Sequence, residues 1–303
     1  MFPIIPANSV AADSGNEEGI FGFGNAVSGV YIGITNLVSN AGVVASDVAE
    51  VGTGRSHLGA CEFGGDQGIF GYGKTASFVS MTNLVSNAGV VGSDVAGVGT
   101  AKGYGSACSY GDKGIFRGGF SSSYALIGIT NLVSNAGVVA SDVAGVGTSR
   151  TELAGCDYGG DKGIFGFGEL SNAGISMTNL VSNAGVVGTD VTGVGTGRRG
   201  LAACSYGGDK GIFGYGRSAS YVSMTNLVSN AGVVASDTAG VGTGRYQLAA
   251  CNYGGDKGIF GFGVLAGGVT AVTNLVSNAG VVASDQATTT GTARYDLEAC
   301  SFN

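Results

Sequence analysis

Small apolar stretches alternate with glycine-rich polar ones along this chain, and residues 58–95 show the pattern in full. Small and apolar residues fill 58–63 (LGACEF), a turn cluster follows at 64–68 (GGDQG), and 69–73 (IFGYG) reads as a second strand. The period-two geometry of a strand places Phe70 and Tyr72 on one face and Ile69, Gly71 and Gly73 on the other, so one face carries knobs and its reverse holes. A third strand is expected over 79–86. The turn Asn87-Ala88-Gly89, whose asparagine and glycine tolerate positive φ, then leads into a fourth strand over 90–95. Apolar residues nowhere recur at i, i+3 and i+4, and glycines fall every few residues at about 1 kcal/mol each in a helix. The chain is therefore expected to be all-β.

The pattern repeats. Gly-Ile-Phe begins at Gly19, Gly68, Gly114, Gly163, Gly211 and Gly258, and Thr-Asn-Leu-Val-Ser-Asn at Thr35, Thr82, Thr130, Thr178, Thr225 and Thr273. Each unit of about 48 residues holds four expected antiparallel strands with apolar or small residues on both faces, as in sheets stacked between other sheets. Residues 18–23 form a second strand with no first strand before it, and residues 295–302 a first strand with no second after it. Together they make one whole unit. These features predict a six-bladed β-propeller over 17–303, its ring closed by pairing of the N-terminal strand with the C-terminal one, and an extension or tether at 1–16.

Composition narrows the functional classes. Glycine is 60 of 303 residues, yet the prolines are only Pro3 and Pro6 and the glycines fall in register, so this glycine belongs to ordered structure. A formal charge of −7 without a basic run gives no footprint for a phosphate backbone, and nucleic acid is not an expected partner. No apolar run reaches the length of a membrane span, and the start Met1-Phe2-Pro3-Ile4 lacks the pattern of a secretion signal, so synthesis in a cytoplasm is expected. Cys61, Cys108, Cys156, Cys204, Cys251 and Cys300 fall once per unit at one place, which favours buried free thiols over disulfides or a metal. Gly68 to Thr75 matches the spacing of a phosphate-binding loop, but the position of Lys74 varies freely among units and strand, not helix, follows.

A basic residue (Arg55, Lys102, Arg150, Arg198, Arg245, Arg294) precedes a small-residue strand and then an apolar strand ending in glycine. This order resembles the kelch-type propeller repeat, without its tryptophan and with Gly-aromatic-Gly in place of its double glycine. The phrase TNLVSNAGVV followed by GDKGIFG also resembles repeat proteins of tailed, marine-type bacteriophages. That resemblance implies a virion component: decoration, tail or fibre.

Strands of alternating direction give the disc two unlike faces. On one, the turns are nearly invariant, with Asp66, Asp112 and Asp161 in one turn and Asn87, Asn135 and Asn183 in the other, a composition that turn formation explains. On the other, the loops diverge. Tyr31, Phe78, Tyr124, Tyr221 and Tyr246 stand there as contact-capable aromatics, with Lys74, Arg217, Arg199, Glu152 and His57 as varied polar groups. The expected role is binding of other virion proteins or a host-surface receptor, with no cofactor. The lone histidine, His57, reads as a surface residue and supports no catalytic triad or His-based metal set. Alternatives are a glycan-binding lectin and, through Glu152 and Glu169, a glycoside hydrolase. Asp47 and its copies are expected to form ion pairs or turn hydrogen bonds with the Arg55 series.

Overall fold

The computed structural model describes residues 18–27, 29–286 and 291–302, and every regular element among them is a β-strand. The expected tether at 1–16 lies outside the described residues. Each repeat folds as a three-stranded antiparallel sheet. In the second repeat the inner strand Gly59–Phe63 pairs with the middle strand Gln67–Gly71, which pairs with the outer strand Thr82–Val85. The third to sixth repeats copy this order, their middle strands being Lys113–Arg117, Lys162–Gly166, Lys210–Gly214 and Lys257–Gly261. The remaining sheet joins the two ends of the described chain: Glu18–Gly22 pairs with Glu298–Phe302 on one side and Thr35–Val38 on the other, with Glu18 opposite Phe302 and Gly22 opposite Glu298.

The expected fourth strand is not formed. Two isolated bridges, Val85 with Val91 and Thr82 with Val95, attach the segment to the outer strand. They leave one more residue on the 91–95 side than on the 82–85 side, which is a bulge, and a bulge breaks the ladder. Asn83 fills the gap: its Nδ2 donates to Gly92 O at 3.0 Å and to Asp94 Oδ1 at 2.9 Å. Apolar patterning misleads here because Val90 and Val95 are exposed and only Val91 turns inward.

A second departure follows from backbone handedness. Tyr72 lies past the end of the middle strand at φ 62°, and so do Phe23, Phe167, Tyr215 and Phe262 at φ between 59° and 65°. The left-handed residue reverses the alternation, so Phe70 and Tyr72 point to opposite sheets instead of sharing a face. Phe70 meets Phe23 of the preceding repeat edge-on at 5.1 Å, whereas Tyr72 meets Phe116 of the following one at 5.1 Å. Knobs do enter holes: a Cβ added to Gly22 would lie 2.8 Å from the Phe70 ring, and one on Gly71 would lie 2.6 Å from Phe116.

The basic residue of each repeat is a buried staple. Arg55 is fully buried, donates from Nε to Tyr72 O at 2.8 Å, and places its guanidinium 4.3 Å from the Phe23 ring centroid. Burial pulls its pKa down to about 10, so it stays charged at neutral pH. Asp94 sits 4.0 Å away and also accepts from Thr53 N and Oγ1. Partial burial pushes the Asp94 carboxyl up, but the bonds from Thr53 and Asn83 and the charge of Arg55 outweigh it and hold it below the usual carboxylate range. The same clasp recurs at Asp142, Asp190, Asp237 and Asp285, and at Asp47 it reaches Thr292, 245 residues along the chain. The expected aspartate–arginine partnership is thus present, with the threonine as its main anchor.

All six cysteines are free and buried. The Cys300 thiol stands where a Cβ on Gly68 would be, 2.6 Å away, which is why the second residue of the middle strand is glycine. Burial pushes the Cys61 thiol up to about 12, leaving it unreactive. The inner strands pack side by side in series from Gly59–Phe63 to Glu298–Phe302, and that last strand packs on the first. One cavity is lined by residues of all six, from Cys61 to Cys300.

Candidate functional site: the divergent face

Two residues beyond each basic staple stands a residue in the left-handed region: His57, Tyr104, Glu152, Gly200, Gln247 and Asp296, with φ between 51° and 61°. Five of the six carry side chains that resist this conformation, so something must hold them. Backbone hydrogen bonds do. Tyr104 N donates to His57 O at 3.0 Å, Glu152 N to Tyr104 O at 2.9 Å and Gly200 N to Glu152 O at 3.0 Å. Gln247 N then donates to Gly200 O, Asp296 N to Gln247 O and His57 N to Asp296 O, so the series returns to its start. These residues rim a cavity of about 50 Å³ floored by Leu58, Leu153, Leu201, Leu248 and Leu297.

One backbone geometry thus presents six positions occupied by imidazole, phenol, carboxylate, hydrogen, amide and carboxylate in turn. His57 is not a surface residue: its side chain is 11 % exposed, its Nδ1 lies 3.1 Å from Asp296 Oδ1, and Tyr104 stacks on its ring at 3.5 Å. Asn25 Nδ2 donates to the other oxygen of Asp296. Glu298 also lines the cavity, where burial pushes its carboxyl up to about 8.

Beside the cavity the divergent loops build two clusters. In the first, Phe78 meets Tyr104 and Tyr124 edge-on, Phe120 closes the group, and Lys74 Nζ lies 5.8 Å from the Phe78 centroid and 5.5 Å from that of Tyr124. Phe78 is buried and supports the cluster from beneath, while Tyr124 is 58 % exposed. Tyr31 is half-buried in the adjoining loop, bridged through its backbone to Asn25. In the second cluster Tyr221 and Tyr246 stack at 4.8 Å, with the Arg217 guanidinium 5.8 and 5.9 Å from their centroids. Between the clusters Arg199 pairs with both Glu169 and Glu152. The two carboxylates named for hydrolysis therefore share one guanidinium. Glu152 still has its pKa raised by burial, which Arg199 only partly offsets.

Sequence reasoning marks Gln247 and Asp296 as varied positions after the basic residue without naming them as binding residues, and it misses Tyr104. Their signal was positional: each follows its basic residue by the interval that separates His57 from Arg55. The invariant face is different in kind. Asp161 pairs with Lys162 at 2.7 Å and accepts from Asn183 at 3.0 Å, and the Asp209 and Asp256 turns repeat this arrangement. The polar groups of these turns are spent on one another, while Glu62, Ser109, Asp157, Ser205 and Asn252 line a cavity of about 190 Å³ at the same end. Lys74 lies in a tight backbone hairpin with Phe78, and Gly68 lies within a strand, so no phosphate-binding loop is built there.

Among the described residues no group of three or more His, Cys, Asp or Glu side chains is placed to hold a metal ion, and no helix is long and apolar enough to cross a membrane. No family model matches the chain, and no curated protein matches it.

Proposed function

We propose that the six sheets are the blades of a six-bladed, kelch-like β-propeller, and that the protein is a non-enzymatic recognition scaffold whose divergent face meets its partner. The ring reading is supported by the terminal strand pairing, the cyclic series of backbone hydrogen bonds and the cavity lined by all six inner strands. One observation carries the functional reading. Turn side chains of the invariant face pair with one another, whereas the divergent face carries two aromatic–cation clusters beside its axial cavity. A rigid frame with varied loops at one end is the general architecture of recognition.

The partner class comes from the phage-like phrase in each repeat: a virion protein or a receptor on the host surface. Cross-linking mass spectrometry on isolated particles tests this. Cross-links from Lys74 to another polypeptide are expected, with few from Lys162 or Lys257 of the invariant face. Absence of the chain from particles would remove the virion assignment, and cross-links confined to the invariant face would reverse the choice of face.

A further inference from the structure

Fourteen lysines and arginines are present, and nearly all are accounted for internally. Arg55, Lys102, Arg117, Arg150, Arg198, Arg245 and Arg294 are buried. Lys113, Lys162, Lys210 and Lys257 pair with neighbouring aspartates, and Arg199 with two glutamates. Lys74 and Arg217 remain: half-buried, with no ion pair among the described residues, and on the divergent face.

They are also built alike. Lys74-Thr75-Ala76-Ser77-Phe78 and Arg217-Ser218-Ala219-Ser220-Tyr221 form the same hairpin, bridged Lys74 to Phe78 and Arg217 to Tyr221. Thr75 N donates to Ser77 O at 2.9 Å in one, and Ser218 N to Ser220 O at 3.0 Å in the other. Each cation lies between an aromatic of its own repeat and one brought by the next, Tyr124 or Tyr246, at centroid distances of 5.5 to 5.9 Å. The second and fifth repeats stand opposite one another in a ring of six.

We propose that these two clusters bind an anionic sugar polymer, each taking one carboxylate- or sulfate-bearing residue. This rests on the reading of the divergent face as the recognition face. A fixed cation beside tyrosine rings suits a ligand that combines an anionic group with apolar C–H faces and hydroxyls. Two similar clusters suit a ligand that repeats itself, since a polymer held at both gains from effective concentration without new contacts. A net charge of −7 opposes a polyanion over the molecule as a whole, so binding depends on these two local cations. Tyr124, through its hydrogen bond to Lys74, raises the amine's pKa and so keeps it charged.

Titration calorimetry at low salt with hexagalacturonate, a sulfated hexasaccharide, neutral maltohexaose and hexaglutamate tests the proposal. Binding of at least one anionic sugar is expected, with none of the neutral sugar or the peptide. K74Q and R217Q should each weaken it about tenfold, the loss of one charge-assisted contact, while K162Q on the invariant face changes nothing. Neither anionic sugar binding, parent-level binding by K74Q and R217Q, or a match by hexaglutamate would overturn it. Particle cross-links from Lys74 alongside absent sugar binding would leave the recognition face standing and remove the sugar alone.

Discussion

A single methyl group probes how the sheets meet. At Gly71 a Cβ would lie 2.6 Å from Phe116 Cζ and 2.9 Å from Cε1, and that ring is itself fixed against Tyr72. Gly71→Ala is expected to lower unfolding free energy by about 1–3 kcal/mol through overpacking, read as a lower urea midpoint at unchanged slope. Gly92→Ala is the control, because alanine already stands at the matching Ala45 and Ala140. Equal midpoints for the two variants would refute the knob-in-hole account. Sequence shows the holes plainly, as glycine in register, but not what fills them, because the filling ring belongs to the next repeat. The third repeat shows how far the rule bends. Arg117 stands where the others have glycine, and its guanidinium lies 5.7 Å from the Phe165 centroid instead of admitting the ring.

At the scale of the element, the inner and middle strands begin and end within two residues of where alternation and turn chemistry place them, while the fourth strand does not form. The reason is local: a bulge consumes the register, and a side-chain amide replaces the ladder. Asn83→Ala removes the donor to Gly92 O and Asp94 Oδ1 at a position with no solvent access. Leaving Gly92 O without its donor and Asp94 with Thr53 and Arg55 alone is expected to cost about 1–3 kcal/mol, and amide hydrogen exchange over residues 90–95 should quicken before that of the inner strands. Exchange unchanged over 90–95 would show that the two isolated bridges alone hold the segment. The left-handed turn after the middle strand was equally hidden, since Phe and Tyr are poor predictors of positive φ. The candidate face inherited both gaps. Its divergent loops were visible as variation, but the rim around the axis depends on hydrogen bonds between residues about 48 positions apart, which no local pattern announces.

For the whole molecule, the pairing of the two ends makes a strong demand. Glu18 lies opposite Phe302 in the register that places Gln67 opposite Phe63. In the second repeat the three residues Gly64-Gly65-Asp66 span that gap. The same tripeptide should therefore join Phe302 to Glu18, and new ends should be tolerated between Gly65 and Asp66, where an added Cβ on Gly65 meets nothing within 4 Å. Such a permutant converts the one sheet held by two chain ends into a continuous hairpin and transfers the break to a sheet that was continuous. Because the six sheets share one hydrogen-bond plan, the break should matter little wherever it falls. The permutant is expected to be a soluble monomer by light scattering, with stability within about 1 kcal/mol of the parent, as circular permutants at exposed turns allow. A permutant that aggregates while its parent stays monomeric would mean that the terminal sheet differs in kind from the others, and the ring reading would fall with it.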